Sequence, residues 1–276
     1  MRKHLLAGIA LAGLIGAGPA FAGNIVLTGH DNDFHCDGCS GTSTSGPGAA
    51  LKAEVAFARA GSSNPLLPVL SFDAGSELTN TLTALGITFT NVNPGTGVTA
   101  ALFDPTKYSA FVVASVTSCG GCDNTPADIA NITAQSAAVA SFFNAGGGIV
   151  GLAGAADTQA YAYVPEAASN AGGSPPSTGY VQTAAGAVLG IPPVNGDPTH
   201  NFFDEPGSGG LSPSYIVTER LTDPVAGTPE TIALKAGTTT CIENGTCVVP
   251  APEPMSLPLL GAGLIGLGIA RRRKLI

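Results

Sequence analysis

The chain has 276 residues, of which 11% are charged, and its 19 acidic and 11 basic side chains give a formal net charge of −8. Six of the basic residues lie at the two ends, so residues 23–255 carry five basic and all 19 acidic residues, a formal charge of −14. Nucleic acid requires a basic surface, so this balance excludes it as a partner and leaves divalent cations compatible with the body. The body is long enough for one large domain with a buried core.

The first 22 residues have the organisation of a secretory signal peptide. Arg2 and Lys3 precede an apolar stretch at 5–17, and residues 20–22 (Ala-Phe-Ala) form a small-residue cleavage site. A permanent N-terminal anchor would not need such a site. The sequence therefore predicts export across the inner membrane and a mature chain that begins at Gly23.

Short β-branched runs alternate with amphipathic segments through most of the body. The nearly continuous apolar run at 108–116 indicates a strand buried on both faces. Alternating strands and helices predict an α/β fold with a doubly wound, mostly parallel sheet. Strands are predicted at 24–29, 67–72, 87–92, 108–116, 149–152, 215–221 and 231–234, and helices at 49–60, 76–85, 126–145, 155–168 and 180–189.

Six cysteines form three local pairs, Cys36/Cys39, Cys119/Cys122 and Cys241/Cys247. An even number in an exported chain predicts disulfides, first within each pair and second between the two Cys-x-x-Cys pairs. A four-thiolate zinc site is the alternative, but the two pairs are much further apart than in a compact zinc ribbon. Redox activity is disfavoured because neither pair opens a helix that would stabilise a thiolate.

Polar residues follow several of the predicted strands, where α/β sheets bind ligands. His30, Asp31, Asp33 and His35 follow the first strand, and His200 lies in a late loop. Imidazole and carboxylate ligands together suit a first-row divalent metal, and carboxylates alone suit calcium. A solvated, disulfide-bonded surface loop explains the same residues and is the favoured interpretation. Further candidates in these loops are Ser118, Cys119, Cys122, Asp123, Asp157, Asp197, Asp204 and Glu205.

The pattern of strands and glycines across residues 24–220 resembles the class I glutamine amidotransferase-like superfamily, especially its ThuA-like branch. The resemblance rests on 24–29 (NIVLTG), 86–89 (GITF), 103–113 and 142–152 (FFNAGGGIVGL). It implies a flavodoxin-like sheet and a site residue directly after the Gly-Gly-Gly strand, a cysteine in the amidotransferases and commonly a histidine in the ThuA-like branch. This chain has Ala153 there, whose methyl group can neither attack a carbonyl nor hold a metal. Amidase chemistry is therefore not implied, and a non-catalytic role is favoured.

The last 28 residues have three parts: a proline-rich hinge with Pro252, Glu253 and Pro254, an apolar run, and the basic block 271–274. Basic residues beside an apolar segment stay on the cytoplasmic side, so a transmembrane helix is predicted within 255–276, although its apolar run is short for a span. The order and spacing resemble the PEP-CTERM sorting signal of Gram-negative bacteria. That resemblance implies an exosortase-type enzyme that recognises the Pro-Glu-Pro element and releases or re-anchors the body. An ordinary C-terminal anchor is the alternative.

These features divide the chain into a signal peptide (1–22), an amidotransferase-like α/β domain (23–240), a linker (241–254) and a membrane helix with an Arg-rich tail (255–276). The favoured function is a structural or binding role in the cell envelope or extracellular matrix, and the sorting-signal resemblance implies polysaccharide as a partner. The alternative is a metal-assisted hydrolase acting on carbohydrate. It would use the three body histidines with Asp31 or Asp33.

Overall fold

The computed structural model describes most of the body of the chain. The predicted signal peptide apart from Ala22, the pair Cys119/Cys122, and the sorting signal with its Pro-Glu-Pro element all lie outside the described residues. The described ranges are 22–36, 39–116, 123–155, 157–173, 175–196, 200–224 and 226–235, with the backbone of 240–242 and 246–248.

The described residues form a central eight-stranded sheet, two small two-stranded sheets and five α-helices. The order of strands in the central sheet is β3-β2-β4-β5-β1-β10-β9-β7, and the small sheets are β6-β8 and β11-β12. The elements in chain order are β1 (Ile25–Thr28), α1 (Gly46–Arg59), β2 (Val69–Phe72), α2 (Glu77–Ala84), β3 (Phe89–Val92), β4 (Ala110–Val113), α3 (Pro126–Thr133), α4 (Ser136–Asn144), β5 (Gly148–Gly151), β6 (Asn170–Gly172), β7 (Tyr180–Gln182), α5 (Ala184–Leu189), β8 (Phe202–Phe203), β9 (Ile216–Leu221), β10 (Pro229–Leu234), β11 (Thr240–Ile242) and β12 (Thr246–Val248).

The central sheet is mixed, so the prediction of a mostly parallel sheet is wrong. Strands β3, β2, β4, β5 and β1 run parallel, whereas β10 pairs antiparallel with β1, β9 with β10, and β7 with β9. The short connection 222–228 between β9 and β10 explains why these two strands are antiparallel. A crossover between parallel strands needs a dozen or more residues, so β9 and β10 can pair only as a hairpin.

The predicted transmembrane helix is also unsupported. Within the described part of the chain, no helix is both long enough and apolar enough to cross a membrane. The segment on which that helix was predicted, 255–276, lies outside the described residues. The observed fold is an α/β fold built on a mixed sheet.

Helices cover both faces of the parallel half of the sheet. Strand side chains alternate between faces, so Val69 packs with α1 and α2, whereas the adjacent Leu70 packs with α3 and α4. All four residues of β4 are buried, which confirms the predicted burial of that strand on both faces. The carboxyl ends of the parallel strands are left for loops, and these loops hold the candidate site.

Three predicted helices differ in the structure. The segment 126–145 forms two helices, α3 and α4, and not one. The break between them follows Ile132 and Thr133, whose β-branched side chains have a lower helix propensity than unbranched ones. In the segment 155–168 the described residues form turns and bends and no helix, and Ala155 at its start has φ +48°. The segment 180–189 divides into β7 and α5, because Thr183 accepts a hydrogen bond from the Gly186 amide and starts α5 there.

Candidate metal site

The loop after β1 makes one helical turn that places two predicted ligands on the same side. The Asp31 carbonyl accepts hydrogen bonds from the Phe34 and His35 amides at 3.0 and 3.2 Å. Residues four positions apart on such a turn are neighbours. The Asp31 and His35 side chains are therefore brought together by local backbone structure alone.

A close backbone contact brings the third residue, His200, to this turn. Its amide donates to the Gly29 carbonyl at 2.8 Å. A Cβ atom on Gly29 would lie 1.9 Å from the Asn201 carbonyl oxygen, far inside van der Waals contact. Glycine at position 29 therefore allows the 200–201 segment to lie against the end of β1.

Asp31, His35 and His200 form a cluster whose ligand atoms all lie within 4.8 Å of one another. Both histidines direct Nε2 at the same oxygen, Asp31 Oδ2, at 3.4 Å for His35 and 2.9 Å for His200. The carboxylate is fully buried, while the His35 and His200 side chains are 25% and 22% exposed. Asp31 Oδ1 is buried and has no hydrogen-bond partner among the described residues.

Two distances in this cluster, those from each histidine to Asp31, can be compared with the geometry of a bound divalent ion. Ligand atoms about 2.0–2.2 Å from a tetrahedral zinc ion lie roughly 3.4 Å apart, which matches the His35 contact and is slightly longer than the His200 contact. Two imidazoles and one carboxylate are the ligand set of several zinc and non-haem iron sites. Without an ion, the 2.9 Å contact serves as a hydrogen bond.

His30 and Asp33, two other predicted ligands, lie outside this cluster. His30 is fully buried, and its Nε2 lies 2.9 Å from Glu219 Oε2 on β9. Asp33 accepts hydrogen bonds from the Ser115 hydroxyl at 2.5 Å and the Ser115 amide at 2.8 Å. Burial raises the pKa of Asp33 to about 7, and the Ser115 hydrogen bonds oppose this shift. Both residues fix the loop in place.

Buried carboxyl groups adjoin these two residues. Burial, followed by the negative charge of Glu219, raises the pKa of Glu54 on α1 to about 8, and a hydrogen bond from Asn32 opposes the shift. Burial and Glu219 also hold the pKa of Glu230 well above its usual range, and neither carboxyl oxygen of Glu230 has a hydrogen-bond partner among the described residues. Glu54 is therefore mostly protonated at neutral pH, and burial favours the protonated form of Glu230 as well.

The turn after β5 is closed by Asn201. Its Oδ1 accepts hydrogen bonds from the Gly154 amide at 2.7 Å, the Ala155 amide at 3.2 Å and the Tyr161 hydroxyl at 3.3 Å. Ala153 is buried, and its amide donates to the His30 carbonyl. The alanine that follows β5 and Leu152 thus contacts the loop after β1 through its backbone. No sequence pattern distinguished Asn201 as a candidate, although it directly follows His200.

The remaining candidate residues serve other parts of the structure. The Asp123 carboxylate accepts from the Ser76 and Glu77 amides at the start of α2. Asp157 accepts from the Gln159 amide, and Glu205 forms a two-point ion pair with Arg220. Asp204 is not part of the cluster of ligand atoms found among the described residues. Ser118, Cys119, Cys122 and Asp197 lie outside the described residues.

The structure contains the predicted local disulfide between Cys36 and Cys39. In the C-terminal hairpin the backbone of Cys241 lies directly opposite that of Cys247, as local pairing requires. The pairing of Cys119 with Cys122 stays a prediction.

No protein-family model, curated protein or solved structure matches this chain. The resemblances to the PEP-CTERM signal and to ThuA-like proteins therefore stay predictions.

Proposed function

We propose that this chain is an exported protein that binds a divalent transition-metal ion through Asp31, His35 and His200. The convergence of two imidazole nitrogens on one buried carboxylate oxygen supports this proposal most directly. A buried carboxylate needs compensation, and Asp31 Oδ1 receives none from the described residues. A cation bound at Oδ2 would neutralise the negative charge that the carboxylate shares between its two oxygens.

The choice of metal follows from the donor atoms. Two neutral imidazoles favour zinc, iron, nickel or copper over calcium and magnesium, which take oxygen ligands. The Cys36–Cys39 disulfide directly follows His35 and supports an oxidising compartment, in which zinc meets few competing thiols.

A metal titration tests the proposal. The purified full-length chain, stripped with chelator, is expected to bind one Zn²⁺ and no Ca²⁺ in isothermal titration calorimetry. Asp31→Asn and His200→Ala should each weaken zinc binding at least about 100-fold, because each removes a direct ligand. The control Asp104→Asn replaces a surface carboxylate that pairs with Lys107 and should bind zinc like the wild type. Absence of stoichiometric zinc, or unchanged affinity in His200→Ala, would rule the proposal out.

Metal-assisted hydrolysis is a second proposal, supported by the number of ligands. Structural zinc sites close the tetrahedron with four protein ligands, whereas catalytic sites use three and hold water in the fourth position. The partial exposure of His35 and His200 gives solvent access to such a position. The zinc-loaded chain should then hydrolyse an activated ester, and chelator should abolish the activity. A rate equal to that of the zinc-free chain would exclude this role.

A further inference from the structure

A cavity of about 470 Å³ lies between α3 and the turns that follow β5. One wall is a single face of α3 and its C-cap, whose residues recur at helical spacing: Pro126, Ile129, Ala130, Thr133 and Ala134. The opposite wall is formed by Asp157, Gln159 and Ala162. A mainly apolar lining with a few polar groups and a volume in this range are typical of small-molecule pockets.

Two polar atoms in these walls have no hydrogen-bond partner among the described residues, Asp157 Oδ2 on one side and Thr133 Oγ1 on the other. An enclosed polar atom without a partner costs free energy. The hydroxyl of a helical threonine can satisfy itself on a carbonyl three or four positions earlier, as Thr79 and Thr83 do at 2.9 and 2.7 Å. Thr133 does not, so its hydroxyl and the Asp157 oxygen are both left for a ligand.

The Asp157 carboxylate is held in place but has no counterion. Its Oδ1 accepts from the Gln159 amide at 2.9 Å, its own amide donates to the Gly154 carbonyl at 3.0 Å, and its carbonyl accepts from Asn170 Nδ2 at 3.0 Å. None of the ion pairs found among the described residues includes Asp157. The cavity therefore presents a fixed negative charge that a cation would balance.

The two atoms are enclosed, so a ligand reaches them only when a side chain at the rim moves. Gln159 meets this requirement, because it is exposed and lines the cavity. Its side-chain Nε2 makes only a 3.5 Å contact with the Thr158 carbonyl, at the limit of a hydrogen bond. Little therefore holds this side chain in place when a ligand enters.

From these contacts we infer that the cavity binds a small primary amine. The ammonium group donates to Asp157 Oδ2 and Thr133 Oγ1, and a short aliphatic chain lies along the apolar face of α3. The formal charge of −14 on residues 23–255 favours the approach of any cation. This site shares no residue with the proposed metal site, so either proposal can fail without the other.

The number of acceptors selects an ammonium group over other cations. A guanidinium group binds a carboxylate through two parallel hydrogen bonds, but Asp157 Oδ1 is already occupied by the Gln159 amide. Calcium takes six to eight oxygen ligands, and the two unpartnered oxygens of this cavity are too few. An ammonium group needs only single acceptors.

Pentylamine serves as the probe, since it is a protonated primary amine at pH 7. The isotope-labelled full-length chain, kept metal-free with chelator, is titrated and followed by two-dimensional NMR. We expect saturable shifts of the amide signals of 129–134 and 157–162, with a Kd of about 1 mM. Pentanol and pentylguanidine should each bind at least about 10-fold more weakly, because one lacks the charge and the other lacks a two-point acceptor. Equal binding of pentanol, equal binding of pentylguanidine, or shifts confined to other residues would overturn the inference.

Three variants locate the site. Asp157→Asn keeps the acceptor for the Gln159 amide but removes the charge, and should weaken binding at least about 10-fold. Ala130→Leu fills the cavity from an exposed position of α3 and should abolish binding. Ala127→Leu is the matched control, since Ala127 is exposed on the same helix and does not line the cavity. Wild-type affinity in Asp157→Asn or in Ala130→Leu would contradict the proposed site.

A lysine derivative distinguishes a small ligand from a protein partner. Nα-acetyl-lysine methylamide carries the same ammonium group on a peptide backbone. We expect pentylamine to bind at least about threefold more tightly, because the volume of the cavity suits a small ligand. Tighter binding of the lysine derivative would identify a lysine side chain of a partner as the occupant and would overturn the inference of a small amine.

Discussion

Replacement of Asn201 with alanine is expected to lower the free energy of unfolding by about 3–5 kcal/mol. Asn201 is fully buried, and its Oδ1 accepts hydrogen bonds from the amides of Gly154 and Ala155. Alanine leaves both buried amides without this acceptor and also leaves a small cavity. Ala155 has φ +48°, a conformation that costs a non-glycine residue about 1–2 kcal/mol and that these bonds help to hold.

Asn195 provides a matched control for this variant. Its Oδ1 also accepts from two consecutive amides, those of Gly179 and Tyr180 at 2.8 and 2.9 Å, but the side chain is exposed. Water can replace that acceptor, so Asn195→Ala should cost about 1 kcal/mol or less. Urea unfolding followed by circular dichroism measures both variants. Equal losses would contradict the role assigned to the buried Asn201.

Replacement of Glu54 with glutamine is expected to change how stability depends on pH. Burial raises the pKa of Glu54 from 4.5 to about 8, so the folded state binds one proton more than the unfolded state between these values. The stabilisation from this proton is fully present below about pH 4.5 and is lost as pH rises to about 8, a loss of up to about 5 kcal/mol. Glutamine is neutral at every pH, so the variant does not lose this stabilisation as the pH rises. Glu54→Gln should therefore be more stable than the wild type at pH 8.

Unfolding free energies measured from pH 5 to pH 8 test this expectation. The difference between Glu54→Gln and the wild type should grow by at most about 1.4 kcal/mol for each pH unit. Asp33 also has a raised pKa and remains in the variant, so part of the pH dependence persists. Asp223→Asn changes an exposed carboxylate and should give a curve parallel to the wild type. A parallel curve for Glu54→Gln would show that Glu54 is ionised in the folded protein.

Local sequence patterns predicted the five parallel strands of the central sheet. They did not predict that β10, β9 and β7 pair antiparallel beside β1. β-Branched apolar runs indicated strands that the structure contains at β1, β2, β3, β4 and β5. The position of β10 beside β1 depends on pairs such as Thr28 with Thr231, whose hydroxyls lie 2.9 Å apart across 203 residues of chain. A contact between residues so far apart in the chain leaves no periodic pattern in the sequence. The short connection 222–228 did carry a signal for the β9–β10 hairpin.

The candidate site shows the same division between local and long-range information. The spacing of Asp31 and His35 in a polar loop was readable from sequence, because one helical turn brings residues four apart together. The exclusion of His30 was not, because its partner Glu219 lies 189 residues away. The approach of His200 depends on the missing side chain of Gly29, a requirement that becomes visible only when the two backbones are placed.

Anomalous diffraction from crystals soaked in zinc tests the proposed metal site most directly. Data collected on both sides of the zinc absorption edge locate the ion without reference to affinity. We expect one peak about 2.0–2.2 Å from Asp31 Oδ2 and from Nε2 of His35 and His200. A map with no peak at this position, or with zinc bound only elsewhere on the acidic surface, would contradict the proposal.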